Sequence, residues 1–88
     1  MYRVETVGED VDAAISALPI GLLSAFAELR VALEVAPWDI GRPYVASNPG
    51  GSRTASFGPE DRGMVLYAVE EQQQLVLLWQ VTIYPDLG

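Results

Sequence analysis

The chain has 88 residues, half of them hydrophobic and 19% charged, which suits one small domain with a single core and argues against disorder. It contains no cysteine and no histidine, so disulfides, thiolate metal sites and the commonest metal ligand are excluded. Five basic residues stand against twelve carboxylates, a net charge of -7, the opposite of the balance that phosphate neutralisation demands of a nucleic-acid binder.

In chain order, Tyr2–Val7 alternates and predicts a first strand. Gly8-Glu9-Asp10 supplies a turn and an acidic helix start, and Val11, Ala14, Ile15 and Leu18 follow at helical spacing before Pro19. Leu22, Ala25, Phe26, Leu29, Leu33 and Ala36 form one apolar stripe, predicting a longer second helix that Pro37 ends. From Trp38 to Gly51, clusters of glycine and proline predict loop and turn. Ser52–Phe57, Met64–Glu70 and Leu75–Tyr84 then read as three strands of an antiparallel meander, separated by "GPEDRG" and by the polar turn Glu71–Gln74. In the last strand, alternation puts Trp79, Val81 and Ile83 on one face and Gln80, Thr82 and Tyr84 on the other.

The order strand, helical hairpin, meander is an α+β arrangement in one domain over residues 1–88. It predicts a four-stranded sheet with the first strand at an edge, helices on one face and the other face open. The longest apolar run, Leu75–Trp79, is far short of the roughly 20 residues a membrane helix needs. No charged segment leads an apolar one at the start, so a cytoplasmic protein without membrane attachment is expected.

Arg53 and Arg62 bracket the first hairpin of the meander. Two readings stay open for them: phosphate ligands, or strand-edge cations paired with neighbouring carboxylates for about 0–1 kcal/mol each. Tyr84 divides in the same way between a solvated strand tyrosine and an acid–base group. Arg42 can take phosphate or pair with Asp39.

The segments "GRPY" (Gly41–Tyr44), "NPGGSRTASFG" (Asn48–Gly58), "DRGMVLYAVEE" (Asp61–Glu71) and "LVLLWQVTIY" (Leu75–Tyr84), in this order, resemble the RelE/ParE superfamily of toxins from type II toxin–antitoxin modules. The resemblance implies a RelE-like fold and, for RelE-like members, cleavage of mRNA on the ribosome by attack of the ribose 2′-OH on the adjacent phosphate. Carried onto this chain, it implies Arg53, Arg62 and Tyr84 as catalytic residues; Arg42 and Tyr44, in the loop before them, are the substrate-binding candidates. Positioned donors of this kind are what phosphoryl chemistry requires. The chain departs from the family pattern at Ile83, where a histidine is common, and at Tyr44, where some members carry glutamate. It also has no lysine. A phenol ordinarily titrates near pH 10, and so makes a poor base unless a guanidinium stabilises its anion.

Two functions therefore stand side by side. One is a ribosome-dependent mRNA endonuclease, active or degenerate, with no metal or cofactor. The other is a non-catalytic ParE-like poison or protein-binding module on the same fold. The resemblance implies a small cognate antitoxin as partner, with ribosome and mRNA as further partners. The small core adds the expectation of a homodimer.

Overall fold

The computed structural model describes residues 1–85. Helix α1 (Glu9–Ser16) starts with Glu9, Asp10 and Asp12 in its first turn, where carboxylates complement the helix dipole. Helix α2 (Ile20–Val35) begins after Pro19, whose carbonyl accepts from the Leu22 and Leu23 amides at 2.9 and 2.8 Å. It ends just ahead of Pro37, as proline requires.

Five strands make one sheet: β1 (Arg3–Thr6), β2 (Arg42–Pro43), β3 (Arg53–Phe57), β4 (Gly63–Glu70) and β5 (Leu75–Ile83). Their spatial order is β1-β5-β4-β3-β2. The pair β1–β5 is parallel and the other pairs are antiparallel. The expected strand count is thus corrected from four to five. The extra strand is a two-residue edge inside the segment that glycine and proline mark as loop, pairing Arg42 with Thr54 and Pro43 with Arg53. Proline is tolerated there because an edge residue need not donate on its outer side. Gly41 leads into it at φ 69°, and a Cβ at that position would drive into the Thr54 carbonyl oxygen.

Both helices cover one face. Leu22, Phe26, Leu29 and Leu33 of α2, with Val11 of α1 and Leu18 between the helices, meet Val4, Ala55, Phe57, Val65, Tyr67, Val76 and Leu78 of the sheet. Phe26 and Phe57 pack edge to face, with centroids 5.5 Å apart. The fold is α+β with helices on one face, as expected.

The last strand needs a second correction. Tyr67 pairs with Leu78 and Leu66 with Gln80, so Trp79 is the extra residue of a β-bulge. Upstream of it the core-facing positions are Val76 and Leu78; downstream they are Val81 and Ile83, one residue out of phase. Trp79 does not share their face contacts and lies outside the core cluster. The bulge is what lets a strand with apolar residues at both parities present one continuous face to the helices.

Candidate functional site

The sheet face opposite the helices carries an open cleft of about 710 Å³. It is lined by Gly41, Arg42, Pro43 and Tyr44 from the edge segment, Thr54, Ala55 and Ser56 from β3, Asp61 and Met64 around the following turn, and Tyr84 after β5. Period-2 alternation explains this gathering. In β3, Ala55 and Phe57 are buried beneath the helices, so Thr54 and Ser56 point the other way. The edge pairing of Arg42 with Thr54 brings the "GRPY" segment alongside them. Tyr44 is held one step further on, its amide donating to the Ser52 carbonyl at 2.8 Å.

Three of the expected site residues meet here: Arg42, Tyr44 and Tyr84. Both tyrosines are exposed, and so is Arg42. Arg62 stands beside Tyr84 without lining the cleft. The Tyr84 amide donates to the Arg62 carbonyl at 2.7 Å, and Arg62 Nε donates back to the Tyr84 carbonyl at 3.3 Å. The last strand and the entry to β4 are thereby tied at the rim.

Arg53 is not part of this group, which corrects its expected place on the open face. It shares parity with Ala55 and Phe57, and only 6% of its surface is exposed. One terminal nitrogen donates to the Trp38 carbonyl at 3.1 Å and to the Ile40 carbonyl at 3.3 Å, while Nε donates to the Tyr67 hydroxyl at 3.3 Å. The guanidinium also lies 5.5 Å from the centroid of the Trp38 ring. The Tyr67 hydroxyl in turn sits 2.9 Å from the Pro37 carbonyl and 2.5 Å from that of Ile40, so its single proton serves one of them at a time. Burial raises the Tyr67 phenol above its ordinary range, and the neighbouring Arg53 partly opposes that rise.

Arg53 and Tyr67 thus satisfy three carbonyls of the turn that delivers Gly41 and Arg42 to the cleft. Outside that turn, Glu71 accepts from Tyr2 Oη at 2.6 and 2.8 Å and from Trp38 Nε1 at 3.1 Å. The Tyr2 hydroxyl, and after it the Trp38 indole, hold the Glu71 carboxyl below its usual range.

Asp61 is the cleft residue that sequence reasoning passed over. It sits in the short 3-10 turn Pro59–Asp61 at φ 54°, and a carboxylate in a turn reads from sequence as a solvated surface group. Tyr67 was missed because a tyrosine in an apolar strand looks like plain core. Among the described residues, no group of three or more acidic side chains comes together as a metal site, and no helix is long and apolar enough to cross a membrane. Chemically, the cleft offers one guanidinium fork, two phenols, two aliphatic hydroxyls and one carboxylate. That set suits a ligand with a flat ring and an anionic group.

The fold is shared with solved structures of toxin–antitoxin complexes. The chain is similar to the toxin–antitoxin complex RelBE2 of Mycobacterium tuberculosis, with a TM-score of 0.75 and 22% identity over 93% of this chain and 96% of that one. It is also similar to the RelE–RelB complex of Pyrococcus horikoshii, with a TM-score of 0.65 and 20% identity over 93% of each chain. No protein-family model and no curated protein matches it. At this level of identity, what is shared is the fold.

Proposed function

We propose that this chain is the toxin of a type II toxin–antitoxin module, acting through the cleft on the open face of its sheet. The observation that carries the reading is the meeting of Arg42, Tyr44 and Tyr84 in one cleft on a RelE-like fold whose solved counterparts are complexes with RelB. The proposed substrate is mRNA on the ribosome, in the cytoplasm, and the proposed partner is a small cognate antitoxin. Within the cleft Arg42 takes a phosphate oxygen, and Tyr44 and Tyr84 lie against bases or ribose. As the 2′-oxygen bonds to phosphorus and the bond to the 5′-oxygen breaks, the Tyr84 phenol gives its proton to the leaving 5′-oxygen, and the 2′-OH proton passes to water in the open cleft, from which the Tyr84 phenolate is reprotonated. Arg62 acts from the rim by holding Tyr84 in place. Arg53 contributes through the turn it pins.

One observation favours the non-catalytic alternative. With Arg53 buried, Arg42 is the one cation lining the cleft among the described residues, and a poison that only occupies its target needs no more. The two readings separate on induced expression in a host without antitoxin, comparing the wild type with Tyr84→Phe and Arg42→Ala and mapping mRNA 5′ ends. The enzyme reading expects growth arrest with codon-phased cuts, weakened by roughly 10²-fold or more in Tyr84→Phe, as loss of a general acid does. Arrest without new ends selects the non-catalytic poison. Unimpaired growth with the wild type overturns the toxin reading.

A further inference from the structure

Asp61 enters the cleft from a strained stretch of backbone. The turn over residues 58–62 holds two successive non-glycine residues in the left-handed region, Glu60 at φ 59° and Asp61 at φ 54°. Aspartate visits that region more readily than most side chains, but the longer Glu60 has no such preference. Positions of this kind persist only where the surroundings over-determine them, and they gather at active sites.

The turn is held from both ends. Upstream, Gly58 turns at φ 83°, and a Cβ there would run into the Leu22 side chain of the core. The Phe57–Gly63 pair closes the loop, and inside it the Asp61 amide donates to the Gly58 carbonyl and the Arg62 amide to the Pro59 carbonyl, both at 3.3 Å. Downstream, Arg62 is bonded to Tyr84 in both directions. One anchor therefore fixes Asp61 and Tyr84 relative to each other, Asp61 on the β3 side of the entry to β4 and Tyr84 on the β5 side. Asp61 is the one carboxylate lining the cleft, and its oxygens take part in no hydrogen bond or salt bridge among the described residues. A carboxylate aimed by a strained turn, and bonded to nothing in the fold, is free to act on what enters the cleft.

We propose that Asp61 is the general base of the cleft, taking through one water the proton that leaves the ribose 2′-OH. The assignment deepens the toxin reading and rests on it. As the 2′-oxygen bonds to phosphorus, its proton goes to a water and from that water to the Asp61 carboxylate, a reach that general bases use. The bond to the 5′-oxygen breaks, and Tyr84 protonates the leaving oxygen. The products are a 2′,3′-cyclic phosphate and a 5′-OH; Asp61 then gives its proton to solvent and Tyr84 takes one back, so both groups end as they began. The negative charge of Asp61 repels a phosphate in direct contact, which suits a base that works across a water while Arg42 holds the phosphate oxygen.

The test is single-turnover cutting of mRNA on purified ribosomes by the full chain, with the natural linkage and with sulfur in place of the 5′-oxygen at the cut. A thiolate leaves without a proton, so the sulfur substrate needs no acid. Asp61→Asn is expected to cut roughly 10²–10⁴-fold more slowly on both substrates, the range for a lost general base. Tyr84→Phe is expected to recover most of its rate on the sulfur substrate. Asp61→Glu, which keeps the carboxylate, should regain part of the rate lost in Asp61→Asn. Asp61→Asn and Asp61→Gly should melt with the wild type or above it, because both replacements accept a positive φ, and either variant then separates lost chemistry from lost fold. Asp61→Asn cutting at the wild-type rate overturns the assignment and leaves the toxin reading in place. So does an Asp61→Asn deficit that sulfur removes, since that would put Asp61 on the acid side of the reaction. If the wild type makes no new ends, the nuclease reading and the assignment fall together.

Discussion

Arg53 shows how one side chain can serve a site it does not touch. Its donors go to Trp38, Ile40 and Tyr67, and the carbonyls they satisfy belong to the turn that presents Gly41 and Arg42. A buried guanidinium with such partners is a structural group, and taking it away strands acceptors that have left water. Arg53→Met is expected to cost about 1–3 kcal/mol, the range for a buried hydrogen-bonding group left unpaired. At this chain length each kcal/mol shifts the melting point by roughly 4–8 °C. Tyr84→Phe, on an exposed residue, should leave the melting curve where it is. A calorimetric scan of the two variants decides between the roles. An Arg53→Met protein that melts with the wild type would return Arg53 to the list of ligands.

At the scale of elements, the bulge in β5 does the most. The residues that β5 feeds into the core are even-numbered before Trp79 and odd-numbered after it, so one extra residue keeps Val81 and Ile83 against the helices. A one-residue register change moves a whole strand face from core to solvent. Deleting Trp79 is therefore expected to be far worse than truncating it. Trp79→Ala removes a partly exposed side chain and should cost about 1 kcal/mol, the centre of the usual range for substitutions. The deletion turns Val81 and Ile83 outward, or else shifts the upstream half, and is expected to abolish cooperative unfolding. Urea titrations of both variants check this, and equal midpoints would show that the core does not depend on the bulge. The two-residue β2 illustrates the same economy, since one pairing of Arg42 with Thr54 assembles the cleft wall.

For the whole molecule, stability is set by one covered sheet face, and two tyrosine contacts couple it to pH. The Tyr67 phenol titrates above its ordinary value in the folded chain, chiefly through burial. Its contribution is therefore complete below about pH 10 and is lost as pH rises through the folded value. Glu71 runs the other way. Its carboxyl is held down, first by Tyr2 and then by Trp38, so its contribution is present above the ordinary glutamate range and is lost as pH falls through the lowered value. The urea midpoint is expected to be flat around neutrality and to fall at both ends. Glu71→Gln should shrink the acid-side fall; an acid limb identical to that of the wild type would mean that the Tyr2–Glu71–Trp38 contact carries no linkage.

How much of this was legible beforehand follows from where the information lies. The 3.6-residue spacing of Leu22, Phe26, Leu29 and Leu33 and the prolines at 19 and 37 place the helical hairpin, because local pattern alone decides which side chains share a helix face. The strands from Ser52 onward and the open face bearing Tyr84 come from period-2 alternation in the same way. Even the burial of Arg53 was written in its parity with Ala55 and Phe57, although a charged residue at a strand start invites the opposite reading. Tertiary structure alone decided that Arg42–Pro43 pairs with β3, that Trp79 bulges, and that Asp61 joins the cleft. Each of these depends on which strand lies beside which and in what register. Hydrogen bonds between segments distant in the chain set that order, and residue spacing within a segment carries no record of its neighbour.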